Sequence, residues 1–165
     1  MLFRTANNTR ASRFDEHLNR LLNKVSRTFW KEYDVVLLDA PAGISLLWEN
    51  LFEAADLVLV PVIPTTLSHR TYDQLLKFFQ RHQYNKKKLS PFFSVVQAGN
   101  AIHKATMSEM RSAHKRFFAS SIPHSVEVER MGIKREPVLN FASQHASAKA
   151  YRGLCAEVLS RLHAA

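Results

Sequence analysis

Cysteine is almost missing from the 165-residue chain: Cys155 stands alone, which excludes an internal disulfide and the cross-linked frameworks of small secreted domains. Long hydrophobic runs are missing too. No window approaches the roughly 20 apolar residues of a membrane-spanning helix, and the opening Met1-Leu2-Phe3-Arg4-Thr5 lacks the apolar core of a secretion signal. A cytoplasmic location is therefore the expectation. Glycine is scarce: Gly43, Gly99, Gly132 and Gly153 are the only four, and none sits in a G-x-x-x-x-G-K-[ST] loop between a strand and a helix, the backbone cradle for a triphosphate. The eight histidines form no H-x-x-x-H pair and have no cysteine at ligand spacing, a pattern that argues against a zinc site. Ser68 and His69 are adjacent, but no G-x-S-x-G elbow surrounds them, so serine hydrolase chemistry has no support.

Charge of one sign is missing from long stretches. No Lys or Arg occurs from Glu32 to His69, where Asp34, Asp39, Glu49, Glu53 and Asp56 fall. From Gln74 to Val126 the balance reverses, and Lys77, Arg81, Lys86, Lys87, Lys88, Lys104, Arg111, Lys115 and Arg116 face only Glu109. With a formal net charge of +9, this clustering is the electrostatic footprint of a polyanionic partner, nucleic acid ahead of anionic lipid.

What the chain does have is a central stretch, Tyr33 to Gly43. Val35-Val36-Leu37-Leu38 reads as a fully buried strand, cut off by Asp39-Ala40-Pro41-Ala42-Gly43 as a tight loop. In open parallel sheets ligands sit beyond the carboxyl ends of the strands, so the Asp39 carboxylate is placed to meet a hard cation such as Mg²⁺. Around it the 3.6-residue period predicts a helix over Arg13–Trp30 and a short one from Ser45 to about Ala55. A second strand follows over Asp56–Val62, then a helix Arg70–His82 capped by Ser68. Tyr84–Ser90 reads as a solvated connection, Phe92–Gln97 as a third strand, and about Lys104–Phe118 as a basic helix. Ser147–His163 closes the chain as an amphipathic helix with Cys155 on its apolar face. A polar opening, residues 1–12, is expected to fray.

The run ending Asp39-x-Pro41-x-Gly43 resembles the Walker-B and switch II segment of the deviant-Walker ATPases of the ParA/MinD type. Ala55-Asp56 before the next strand, Val60-Pro61 closing it, Pro64, the helix near Ser68, Ser121-Ile122-Pro123 and the final helix with Tyr151, Leu154 and Val158 are similar to the pattern that follows in that family. One departure is Met131-Gly132-Ile133-Lys134-Arg135, bulkier and more basic than the small-residue stretch usual before the family's proline, here Pro137.

The resemblance implies a single three-layer α/β domain over residues 1–165, P-loop NTPase-like with a mostly parallel sheet, covering the carboxyl-terminal part of the family's domain and incomplete at the N-terminus. It implies ATP and Mg²⁺ as cofactors, with Asp39 organising the metal, Gly43 lending a backbone amide near the γ-phosphate, and Gln97, Asn100 and Pro123 near the base. The implied activity is DNA partitioning or cargo positioning by an ATP-dependent homodimer that binds nonspecific DNA and answers to an adaptor protein. Without the phosphate loop, no ATP hydrolysis is expected from these residues alone. The alternative is a non-catalytic basic module that pairs with a complete ATPase or an adaptor, and no membrane anchor is expected in either case.

Overall fold

Alternation along one strand organises the two cores. In the computed structural model, which describes residues 2–4, 32–39, 51–52 and 54–164, Leu57 and Leu59 of strand β3 (Leu57–Val62) pack with Phe118, Ile122, Leu154, Val158 and Leu162 on one face. Val58 and Val62 point the other way, Val58 into a cluster with Leu51, Phe52, Phe79 and Leu89, Val62 into one with Tyr72, Phe93 and Met110. A strand covered on both faces gains nothing from polar residues, which explains its unbroken apolar composition.

Among the described residues four more strands belong to the sheet: β1 (Leu2–Arg4), β2 (Val36–Leu38), β4 (Leu89–Val96) and β5 (Ser121–Pro123), in the spatial order β2-β1-β3-β4-β5. The pairs β3/β4 and β4/β5 are parallel, whereas β1 runs antiparallel to both its neighbours. The helices whose full extent is described are α1 (Thr66–Arg81), α2 (Ala101–Ala113), α3 (Val126–Lys134), α4 (Val138–Phe141) and α5 (Ala146–His163). Residues of α1 and α2 cover the Val58/Val62 face, and α5 covers the Leu57/Leu59 face, giving three α/β/α layers. Each buried phenylalanine, such as Phe79 or Phe93, contributes about 2–3 kcal/mol by leaving water.

The α5 face is pinned by a cation. Arg161 Nη1 donates to Ser90 Oγ at 3.0 Å and to the Arg116 carbonyl at 2.8 Å, and its guanidinium lies 3.8 Å from the Phe118 ring centre. Burial, together with nearby Arg116, pulls the Arg161 guanidinium below its usual range, an effect that Glu157 partly offsets.

Several elements differ from the sequence-based expectation. The Asp39 strand is not fully buried: it forms one edge of the sheet among the described residues, with Leu37 47% exposed. The opening is not wholly frayed, since Leu2–Arg4 pair with β2 and Leu2 and Phe3 also pair with β3. Helix α1 starts earlier than Arg70 because Thr65, not Ser68, supplies the cap, its Oγ1 accepting from the Ser68 amide. Leu89 and Ser90 are buried strand and not solvated loop, because the turn Lys86–Lys88 ends the polar run and Leu89 enters the core. Helix α2 starts at Ala101, capped by Asn100, and stops at Ala113; Phe117 leaves it to stack on Phe93 at 4.4 Å. Cys155 is exposed, because the buried stripe of α5 runs through Leu154, Val158 and Leu162, one position away. The helix expected over Arg13–Trp30 lies outside the described residues, as does most of the one from Ser45, of which Leu51, Phe52 and Ala54 are helical.

Candidate functional site

The carboxyl ends of β4 and β5 form a crest on which three of the expected residues meet. Val96 pairs with Pro123, and the His124 amide donates to the Val96 carbonyl at 2.9 Å, so Gln97 emerges beside Pro123. The Gln97 amide donates to Nδ1 of buried His103 at 3.1 Å, which makes that nitrogen the unprotonated one. Asn100 Oδ1 accepts from the Ile102 and His103 amides as the cap of α2, and its Nδ2 donates to Gln97 Oε1 at 3.3 Å. The Asn100 side chain is thus committed to structure, while the exposed Gln97 retains a free amide donor among the described residues. Just before the crest Val95 has φ 56°, inside the irregularity between Phe93 and Val96. A β-branched side chain in the left-handed region is strained, and such strain concentrates where a backbone is being aimed.

Asp39 does not join that group. It is exposed at the carboxyl end of β2, which points the same way as β3 and β4, but the register sets Leu38 level with Leu2 and Leu2 level with Val58. Asp39 therefore stands beside the middle of β3, at the height of Leu59 and Ser90, and Gln97 is roughly 20 Å further along the strand direction. Gly43 lies outside the described residues.

Basic side chains gather along α2 and the turn just after it. Lys104, Met107, Ser108, Arg111, Ser112 and Lys115 line a shallow cleft of about 500 Å³. Lys104, Ser108 and Arg111 recur every three or four positions, so they share one face of α2, and Lys115, in the turn just past its end, lines the same cleft. Arg111 is held in place: its Nη2 donates to the Ala119 carbonyl at 2.9 Å and to Ser121 Oγ at 3.0 Å, and its guanidinium sits 5.3 Å from the Phe93 ring centre. Lys104 and Lys115 carry no hydrogen bond or ion pair among the described residues. Of the other expected basic residues, Arg116 donates to the Leu89 carbonyl and Lys86 to Gln80, so part of the positive charge serves the fold.

A second cluster was not anticipated. His69 and Asp73 of α1 meet His114, the residue that closes α2, with Tyr72 buried against the His114 ring at 5.1 Å. Burial raises the Tyr72 hydroxyl to a pKa of about 12, so it stays neutral. The spacing H-x-x-x-D from His69 to Asp73 was the available signal. His114, distant in the chain, could be found only from the packing of two helices.

Among the described residues no helix is long and apolar enough to cross a membrane. In comparisons with known proteins, the sequence profile of a family described as an AAA domain matches residues 3–90. The chain is 26% identical over 147 residues to the virulence plasmid ParA family protein pGP5-D of Chlamydia psittaci, covering 88% of this chain and 55% of that protein. It is 27% identical over 135 residues to the chromosome partitioning protein ParA of Caulobacter vibrioides, covering 78% of this chain and 50% of that one. The chain thus spans about half the length of the curated relatives it matches. Its fold is similar to a solved structure titled the MinC:MinD cell division protein complex of Aquifex aeolicus, with a TM-score of 0.70 and 16% identity, covering 86% of this chain and 57% of the other.

Proposed function

Because the chain belongs to the ParA/MinD-type family of P-loop ATPases, we propose that it is the DNA-engaging portion of a partitioning or cargo-positioning ATPase, acting as a homodimer on nonspecific DNA. The observation that carries this reading is the basic cleft formed by α2 and the turn that follows it. Lys104 and Lys115 present ammonium groups with no partner among the described residues, on either side of a fixed Arg111. Such a cleft neutralises phosphates without reading bases, which suits a partner recognised by charge alone.

ATP and Mg²⁺ belong to the same reading, and the residues fit them unequally. The crest fits a nucleobase: Gln97 offers an exposed amide and Pro123 a half-buried apolar face beside it. Asn100 serves by fixing Gln97 more than by contact of its own. Asp39, an exposed carboxylate at a strand end, is a suitable ligand for Mg²⁺ or one of its waters. The glycine-rich loop that would cradle the triphosphate has no counterpart in the sequence. When bound, Mg²⁺ would neutralise phosphate charge, and Gly43 is assigned a backbone contact near the γ-phosphate by family resemblance only. An adaptor protein that stimulates hydrolysis is part of the proposal.

Binding of a labelled random-sequence duplex, followed by fluorescence anisotropy across a salt series, tests it. The affinity is expected to fall steeply with salt, by about 0.9 in log–log slope per phosphate neutralised. Lys104→Ala/Lys115→Ala is expected to flatten that slope by about 2 and to leave the fold intact, because neither lysine holds structure. Binding insensitive to salt, or unchanged in the double variant, would point instead to a module that docks on another protein.

A further inference from the structure

We propose that His69, Asp73 and His114 form a binding site for a divalent transition metal, with Zn²⁺ the best match, distinct from any magnesium at Asp39. One ligand atom from each residue lies within 4.8 Å of the other two. Asp73 divides its carboxylate between the histidines: Oδ2 is 3.8 Å from His69 Nε2, and Oδ1 is 3.5 Å from His114 Nε2. His69 turns its other nitrogen, Nδ1, towards Glu109 Oε1 at 4.0 Å. A carboxylate behind a ligating imidazole is the arrangement that fixes ring orientation and tautomer in metal sites.

The ordinary alternative is a pair of histidine–carboxylate contacts, and the geometry suits it poorly. At 3.5 and 3.8 Å the separations exceed good hydrogen-bond length. His114 Nε2 is shut off from solvent with no hydrogen-bond partner, and a buried polar atom left in that state calls for an explanation. A metal supplies one. With Zn–N near 2.0–2.1 Å, tetrahedral donors sit roughly 3.3 Å apart, so the three atoms need to draw in by about an ångström. Two imidazoles and one carboxylate match the nitrogen and oxygen preferences of Zn²⁺ and leave a fourth position for water. The site would tie α1 to the carboxyl end of α2 next to Lys115, holding the basic cleft at a fixed angle to the sheet. The sequence pattern argued against zinc because it searches near neighbours, whereas these ligands come from two helices.

The full chain, stripped with a chelator and titrated with ZnCl₂ against a chromophoric zinc indicator, decides the matter. One equivalent per chain is expected, with a rise in melting temperature on loading. His69→Gln, Asp73→Asn and His114→Gln should each weaken binding at least about ten-fold, and Glu109→Gln by a smaller factor. His163→Gln, at the exposed end of α5, should bind like the parent. Circular dichroism identifies any variant that fails to fold. Should a histidine variant do so, Asp73→Asn decides, since Asp73 is 45% exposed and the change is isosteric. Weak binding of several equivalents, or a single equivalent retained by His69→Gln/His114→Gln or by a folded Asp73→Asn, would overturn the assignment.

Discussion

Glu157 satisfies two backbone donors that lie outside any regular element. Its Oε2 accepts from the Ala119 amide at 2.7 Å and its Oε1 from the Ser120 amide at 2.8 Å. Burial pushes this carboxyl up, but the Ser120 hydroxyl, these two amides and the charge of Arg161 together hold it below the ordinary glutamate range. A carboxyl lowered in the folded state adds stability that is fully present above its unfolded value and is lost as pH falls through the folded one. Glu157→Gln is therefore expected to cost about 1–3 kcal/mol at neutral pH. In urea unfolding across a pH series the two proteins should converge below the glutamate range. A gap that stayed constant into acid would show that charge plays no part. At this scale the sequence was partly legible. Gln97 and Pro123 are singled out only by the family resemblance; the structure sets them side by side, and their contact with a base stays a proposal. The Asn100 cap bonds to the Ile102 and His103 amides are set by the local turn and show only in the folded chain. The roles of Glu157 and His114 depend on contacts across the fold, which no spacing along the chain encodes.

Helix α5 lies against β5 and the segment before it with little clearance at Gly153, where an added Cβ would fall 2.7 Å from Ser120 Oγ. Two effects compete there. Alanine is favoured over glycine inside a helix by about 1 kcal/mol, while the clash displaces a hydroxyl that supports Glu157. Gly153→Ala alone is expected to be neutral or destabilising, and in a Ser120→Ala background it should stabilise by up to about 1 kcal/mol. Melting temperatures of the four proteins in this cycle measure the coupling, and a coupling of zero would mean that α5 has room to shift. Element types were legible wherever a period ran long enough, as in α1, α5 and β3. Boundaries were less so, because caps decide them: Thr65 and Asn100 each move a helix start, and Leu89 is drawn into the sheet by the core cluster around Phe79.

For the whole molecule, the link that matters most is β1, a strand of three residues. Among the described residues β2 has no ladder partner except β1, and β1 reaches β3 through only Leu2 and Phe3, whereas β3 and β4 share five register pairs. In backbone pairing Asp39 is therefore joined to the rest of the sheet through the three residues of β1, while Val35 and Leu38 beside it add side-chain packing against the two cores. The sequence concealed this, since Leu2-Phe3-Arg4 before a polar stretch is too short to show alternation. Consecutive backbone donors on a strand point to opposite neighbours, so of Leu2→Pro and Phe3→Pro one removes a donor facing β2 and the other a donor facing β3. In native-state hydrogen exchange, one of the two is expected to speed exchange at Val36–Leu38 at least about ten-fold, while Phe92–Val96 keep their protection. DNA affinity should hold in that variant, because α2 is anchored on the other side of the sheet through Met110 and Phe93. If neither proline released Val36–Leu38, the Asp39 strand would have to be held by contacts other than the β1 ladder, and its offset from Gln97 would no longer follow from this register.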